Sequence, residues 1–205
     1  NLPIEDFQQE YECNFVDETT AWITWEEIRA VQNDDLVCAM GEGRSDGVED
    51  AFAAIDQMAE AVRSGLVEQW MAAGLDVGRT RNTTELYVVG LSTVQSYPLR
   101  LAVTLDNVPF DTQHSVIAYA LDRLPILGLY IDRNGIGRNL AESLEAAYRG
   151  RAVGMDFTNL SKQAWATDTK TLIQQGRTPL PSDRDLAYQI HSIKRKVTAA
   201  KNLVF

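Results

Sequence analysis

The order of strand-like and helical segments constrains this chain more than any single motif does. Three strand-like segments, residues 70–77, 85–91 and 99–105, follow one another with turn residues between them. The segments after them alternate between the two types: helix 111–124, strand 126–132, helix 135–148, strand 151–157, and two helices on either side of residues 179–181. Three consecutive strands predict an antiparallel meander, and the alternation predicts parallel strands joined by helices.

This order predicts an α/β fold of the ribonuclease H-like class. The expected sheet is mixed and five-stranded, with a three-strand meander followed by alternating helices and parallel strands, and it is flanked by helices. Other α/β sandwiches share the same order. The strand over 126–132 is continuously apolar, which predicts burial on both of its faces. The side chain of Asp111 is expected to cap the helix over residues 111–124.

The charge of the chain changes sharply along its length. Residues 1–70 contain 17 acidic and 3 basic side chains, whereas residues 71–205 contain 12 acidic and 16 basic ones. This change predicts a boundary near residue 70 between an acidic connector and a mildly basic domain. The basic side chains that could contact phosphates are Arg133, Arg138, Arg149, Arg151, Lys162, Lys170, Lys194, Arg195 and Lys196.

The acidic half shows four local patterns. The alternation from Tyr11 to Phe15 predicts a short strand, and Thr24 with Glu27 three residues later forms a capping box that predicts the start of a helix. Residues 41–47 are rich in glycine and polar residues and predict a loop. An alanine-rich helix is expected over 51–65, because apolar residues recur there at three- and four-residue spacing.

Several classes of protein are excluded by composition. The longest apolar run, residues 124–131, contains Pro125 and Gly128 and is far shorter than the roughly 20 residues that cross a bilayer. We therefore predict a soluble protein without a membrane partner. Cys13 and Cys38 are too few for a disulfide framework or a cysteine zinc site, which favours two reduced thiols.

Two aspartates stand at the ends of predicted strands. Asp76 lies late in the first strand, and Asp132 ends the fourth. These two strands are neighbours in a ribonuclease H-like sheet, so the carboxylates would meet at one edge. Carboxylates so placed can share one or two divalent cations about 4 Å apart, with one cation orienting a water nucleophile and the other the leaving 3′ oxygen of a phosphodiester. Taken alone, each aspartate is more simply interpreted as a turn residue at the end of a strand, before a glycine, than as a metal ligand.

Residues 71–205 resemble the C-terminal nuclease domain of the large subunit of bacteriophage terminase, the DNA-packaging motor. The stretches that carry the resemblance are Gly74-Leu75-Asp76-Val77-Gly78-Arg79, residues 108–113, residues 130–142 with Asp132 and Gly135-Ile136-Gly137, residues 154–158 with Lys162, and residues 180–198. Residues 7–27 are similar to the stretch where a terminase leaves its packaging ATPase domain. The resemblance implies that residues 1–70 are the end of that ATPase domain with linker helices, and that 71–205 are a nuclease domain that is incomplete at its C-terminus.

The resemblance also implies an activity and partners. Members of this family use three acidic groups to bind two Mg²⁺ or Mn²⁺ ions and cut concatemeric double-stranded DNA during packaging into the procapsid. The catalytic and metal-binding groups map to Asp76 and Asp132. The implied partners are double-stranded DNA, the terminase small subunit, the procapsid portal and the ATPase domain of the same protein, in the cytoplasm of the bacterial host.

The chain departs from the family pattern at two places. The third acidic group is expected shortly after Phe205, and Asn82 stands where relatives often carry aspartate. Asp183 and Asp185 could substitute for the third group, but their position after Pro181 favours a role in capping a helix. Two alternatives stay open: a ribonuclease H-like Holliday-junction resolvase, and an assembly module that holds DNA without cutting it.

Overall fold

The computed structural model describes residues 21–80, 82–194, 196–197 and 203–204. They belong to two compact units. The larger unit consists of Asn33–Phe157 and Arg177–Pro181, and the smaller one contains the described residues of the other segments. The strand predicted at residues 11–15 lies outside the described residues.

The larger unit is built on a mixed six-stranded sheet. Its strands are β1 (Ala39–Arg44), β2 (Met71–Asp76), β3 (Thr84–Gly90), β4 (Leu99–Asp106), β5 (Ile126–Asp132) and β6 (Ala152–Met155). Their spatial order is β1-β4-β3-β2-β5-β6. Strands β2, β3 and β4 form the predicted antiparallel meander, while β5 is parallel to β2 and β6 is parallel to β5. The predicted α/β class, with a meander followed by parallel strands, is confirmed.

The sheet has six strands because β1 occupies the segment that was predicted to be a loop. β1 pairs in parallel with β4 at the edge of the sheet. Gly41 lies against a helix so closely that a Cβ atom there would stand 2.7 Å from the Cβ of Ala54. Because glycine has no apolar side chain, a strand that contains glycine at its buried positions lacks the apolar alternation by which strands are predicted from sequence. The five-stranded prediction was therefore wrong by this one edge strand.

The described residues form six helices, numbered here in chain order. They are α1 (Trp25–Val31), α2 (Glu49–Arg63), α3 (Phe110–Arg123), α4 (Arg138–Ala147), α5 (Asn159–Gln174) and α6 (Arg184–His191), with a 3₁₀ turn at Gly135–Gly137. Side chains of α2, α3 and α4 share one apolar core with the strands. Ile55 of α2, Ile117 of α3 and Leu144 of α4 are fully buried there.

The predicted boundary near residue 70 falls inside the larger unit. Strand β1 and helix α2 both precede residue 70, yet β1 extends the sheet and α2 contributes to its core. Their acidic side chains lie on exposed positions, so the change in charge marks a surface and not the start of this unit. The interpretation of the N-terminal residues as the end of an ATPase domain stays a prediction.

One face of the sheet is open to solvent within this unit. Along β5, Leu129 and Ile131 are buried, but Leu127 and Tyr130 are each 52% exposed. The prediction that this strand is buried on both faces was wrong. Strand β2 shows the same alternation, with Leu75 buried and Asp76 exposed. Residues that share the face of Tyr130 are therefore accessible to a ligand.

The start of helix α3 also differs from the prediction. Pro109, and not Asp111, occupies the capping position, and no side chain caps this helix end. Asp111 lies in the first turn, where a negative charge interacts favourably with the helix dipole. The acidic residue thus stabilises this helix end through charge and not through a side-chain cap.

The smaller unit contains α1, α5, α6 and a two-stranded ladder, β7 (Lys196–Val197) with β8 (Leu203–Val204). The predicted capping box of α1 is present, with the Thr24 hydroxyl accepting from Glu27 N and the Glu27 carboxylate accepting from Thr24 N. His191 stacks on Trp25 with ring centroids 4.3 Å apart. Within the described part of both units, no helix is long and apolar enough to cross a membrane.

The stability of the larger unit should depend on the Glu68–Arg100 ion pair in a pH-dependent way. Arg100 donates from Nε and Nη2 to the two carboxylate oxygens, at 2.8 and 3.0 Å. Burial raises the pKa of Glu68, but the hydrogen bonds and charge of Arg100 outweigh burial and hold that pKa below its usual value. A lowered pKa contributes stability above the unfolded-state pKa that is lost as the pH falls through the folded-state value.

We expect Glu68→Gln to lower the free energy of unfolding by about 2 kcal/mol at pH 7 and by progressively less below about pH 4.5. Urea unfolding of both proteins at pH 7 and pH 3 measures the difference. If Glu68→Gln lowers the free energy of unfolding equally at the two pH values, the ionised Glu68–Arg100 pair is not the source of the stability.

Candidate functional site

The two predicted aspartates lie side by side at the ends of neighbouring parallel strands. Strands β2 and β5 pair up to Leu75 with Ile131, and Asp76 and Asp132 are the next residue on each strand. Parallel neighbours lie about 4.8 Å apart, and residues in equivalent positions point to the same face. Both carboxylates therefore project from the open face of the sheet, at the carboxyl ends of its central strands.

The chain after Asp132 is held by local hydrogen bonds. The Oδ1 atom of Asp132 accepts from the backbone N–H of Asn134 at 2.9 Å, which fixes the carboxylate against its own turn. The Asn134 side chain donates to the carbonyl of Phe157, at 3.0 Å, and so ties this turn to the segment after β6. These bonds orient Asp132 before any ligand arrives.

Glu85 is a third acidic residue in the same row, and the sequence analysis did not single it out. It lies opposite Asp76 on β3. Its carboxylate, however, accepts from the hydroxyls of Thr83 and Thr104, at 2.6 and 2.8 Å. Since Thr104 belongs to β4, on the other side of β3 from Asp76, these bonds hold Glu85 toward β4. Glu85 is thereby a neighbour of the pair and not a third member of it.

The two strand ends are packed together by a glycine. Gly137, which ends the 3₁₀ turn after β5, is buried. A Cβ atom there would stand 2.5 Å from the carbonyl oxygen of Asp132 and 3.1 Å from the Cβ of Val77, the residue after Asp76. Gly137 of the sequence motif Gly135-Ile136-Gly137 thus allows the turns that follow the two aspartates to pack closely against each other.

Arg133, directly after Asp132, is tied to the segment that follows the next strand. It donates from Nε and Nη2 to the two carboxylate oxygens of Asp156, at 2.8 and 2.6 Å. The hydrogen bonds and charge of Arg133 hold the pKa of Asp156 below its usual range. Asp156 therefore remains ionised and paired, which makes it a poor candidate for an additional cation ligand.

Some of the predicted phosphate contacts have structural roles instead. Arg151 donates to the carbonyls of Ile126 and Leu121, at 3.1 and 2.7 Å. In the smaller unit, Lys170 donates to the carbonyl of Trp22 and pairs with Glu27. Exposed basic side chains that follow the candidate strands are Arg79 and Arg138. Arg79 was outside the predicted set; its guanidinium lies 5.0 Å from the centroid of the Phe110 ring.

The donor chemistry of the pair fits a hard divalent cation. Mg²⁺ prefers carboxylate oxygens and is commonly held by one or two carboxylates with water completing its shell. No group of three or more acidic, histidine or cysteine side chains within the described residues is arranged to hold a metal.

Asp183 caps α6 by accepting from the backbone N–H of Leu186, at 2.8 Å, as the sequence predicts.

Solved structures of three large terminases are similar to this chain. The nuclease domain from thermophilic phage G20c with bound magnesium matches with a TM-score of 0.57 and 17% identity, over 67% of this chain and 74% of that one. The nuclease domain from Thermus phage P74-26 gives 0.54 and 16%, over 65% and 67%. The HK97 large terminase gives 0.52 and 15%, over 67% of this chain and 35% of that one.

The chain has the fold of a large-terminase nuclease domain. At these identities the similarity assigns the fold alone. No protein family matches the sequence, and no curated protein matches it either. The ribonuclease H-like architecture predicted from the order of elements is thereby confirmed, with β1 as an additional edge strand.

Proposed function

We propose that the chain is a divalent-cation-dependent endonuclease that hydrolyses phosphodiester bonds of double-stranded DNA. The observation that carries the proposal is the placement of Asp76 and Asp132 at adjacent strand ends on the open face. Like charges at equivalent positions of neighbouring strands repel each other. A shared cation removes that repulsion.

In this proposal Asp76 and Asp132 would together hold Mg²⁺ or Mn²⁺, with Asp76 as a ligand of both ions of a two-metal site and Asp132 as a ligand of one. A bound cation supplies activation of a water nucleophile and stabilisation of the leaving 3′ oxygen. The chain itself supplies orientation: Asn134 N–H holds Asp132, and the packing of Gly137 holds the two strand ends together. Related terminase nuclease structures with bound magnesium, cobalt and zinc support a divalent cation.

DNA would be held through its phosphates and without sequence preference. Arg79 and Arg138 are exposed and follow the two candidate strands, so they can contact the backbone beside the cation. Binding should weaken as salt rises. Within a large terminase, the domain would cut concatemeric DNA during packaging, with the small subunit, the procapsid portal and an ATPase domain as partners in the host cytoplasm.

Cleavage of supercoiled plasmid tests the proposal. We expect nicked and linear products with Mg²⁺ or Mn²⁺ and none with EDTA, because the proposal assigns activation of water and stabilisation of the leaving oxygen to the cation. Cleavage that persists in EDTA would contradict a cation mechanism. Intact but bound plasmid would favour the DNA-holding module, and cleavage confined to four-way junctions would favour the resolvase.

Replacing Gly137 by alanine should impair cleavage more than it impairs folding. The added Cβ would push apart the carbonyl of Asp132 and the side chain of Val77. A displacement of about 1 Å at a reacting centre can cost about 100-fold in rate. Gly74→Ala is the matched control, since nothing lies within 4 Å of a Cβ at that position of β2. Cleavage rates and melting temperatures of both variants check this, and equal rates for the two would contradict it.

A further inference from the structure

A fully buried pair of polar side chains lies behind the candidate site. Thr84, the first residue of β3, and Gln113, in the first turns of α3, are both 0% exposed. Burying a hydroxyl and an amide costs free energy unless each polar atom has a hydrogen-bond partner. The partners of these two side chains therefore show what the pair holds in place.

The bonds of the pair converge on Gly78. The Thr84 hydroxyl accepts from the Gly78 N–H at 2.9 Å, and its own hydrogen can go to Gln113 Oε1 or to the Gly78 carbonyl oxygen, each 2.9 Å away. The Gln113 amide donates its two hydrogens to the carbonyls of Gly78 and Val108, at 3.1 and 2.8 Å. Whichever acceptor the Thr84 hydroxyl uses, both backbone groups of Gly78 are bound. An apolar pair of the same shape would leave them buried without partners.

Gly78 is the second residue after Asp76, so the pair controls the direction in which the chain leaves the candidate site. The approach is close, because a Cβ at Gly78 would collide with the carbonyl oxygens of Asn82 and Thr83. The same turn thus leads out of β2 and back to Thr84, which starts β3 beside Glu85. No hydrogen bond of the Gln113 side chain serves the helix that carries it.

We propose that Thr84 and Gln113 are positioning residues that hold the Asp76 carboxylate in the geometry that binds the cation. They touch neither the cation nor the substrate and act through the backbone of Gly78. The proposal deepens the endonuclease function and rests on it for the role of Asp76. Groups behind metal ligands typically change metal affinity about 10- to 100-fold when they are removed.

Two substitutions of Thr84 test the proposal. Thr84→Val keeps the shape and removes the hydroxyl, whereas Thr84→Ser keeps the hydroxyl. Ile55→Ala, in the fully buried part of α2, is the control that loses packing without touching the turn. Amide hydrogen exchange at Gly78 and a Mn²⁺ titration followed by electron paramagnetic resonance are measured at a temperature at which all variants are folded.

We expect Thr84→Val to speed exchange at Gly78 and to weaken Mn²⁺ binding by about tenfold or more, while Thr84→Ser stays within about threefold of the unchanged protein. Ile55→Ala should lower the melting temperature and leave Mn²⁺ affinity unchanged. If Thr84→Val melts earlier but binds Mn²⁺ as tightly as the unchanged protein, the positioning role is overturned and the nuclease function stands. If the unchanged protein binds no Mn²⁺, the nuclease function fails, and the positioning role fails with it.

Discussion

Asp76→Asn is expected to reduce cation-dependent plasmid cleavage by about a thousandfold or more, which corresponds to about 4 kcal/mol of lost transition-state stabilisation. The amide keeps the size of the carboxylate but removes its charge, and the proposed bridging position requires that charge. Rates with saturating plasmid and with increasing Mn²⁺ measure the effect. Folding should be retained, because Asp76 is exposed at the end of β2.

Glu85→Gln is the matched control for this experiment. Glu85 lies directly opposite Asp76, and the substitution removes the same charge from the same row of the sheet. Because Thr83 and Thr104 hold its carboxylate toward β4, we expect cleavage within about threefold of the unchanged protein. If both substitutions reduce cleavage equally, the effect comes from the total negative charge on this face of the sheet, and the specific role proposed for Asp76 is contradicted.

Asp132→Asn is expected to have opposite effects on activity and stability. Cleavage should fall by about a hundredfold or more, because one cation loses its second carboxylate. Without a cation, the variant should be more stable by about 0.5–1 kcal/mol, since a like-charge repulsion between adjacent strands is removed. The asparagine oxygen can still accept from Asn134 N–H, so the turn is preserved.

Thermal unfolding in EDTA and in Mn²⁺ measures this second effect. We expect the melting temperature of Asp132→Asn in EDTA to rise by about 2 °C, and the gain on adding Mn²⁺ to be smaller than in the unchanged protein. A variant that is less stable in EDTA yet gains as much from Mn²⁺ would show that Asp132 is a structural turn residue and not a ligand.

The positions of strands β2 to β6 along the chain could be predicted, because each of these strands has its own apolar pattern and is bounded by turn residues. Strand β1 could not, because Gly41 and Gly43 take the places where apolar side chains would otherwise mark a strand. A Cβ atom at Gly41 would collide with α2, and one at Gly43 would collide with the side chains of Leu105 in β4 and of Val48. Only the folded chain shows these close contacts.

The candidate site was partly predictable for a related reason. Asp76 and Asp132 end strands whose neighbourhood follows from the order of elements, and the structure places them on adjacent strands. Thr84 and Gln113 have no sequence signal of their own, because their role depends on a contact between residues 29 positions apart. Glu85 looks like any half-buried strand residue until its two threonine partners are known.

Direct titration of Mn²⁺ into the protein without DNA tests the central claim, that Asp76 and Asp132 together hold a divalent cation. Calorimetry of the unchanged protein, Asp76→Asn, Asp132→Asn and Glu85→Gln should show binding in the first and last and at least about tenfold weaker binding in the two aspartate variants. Equal Mn²⁺ affinity in all four proteins, or none in the unchanged protein, would contradict the account.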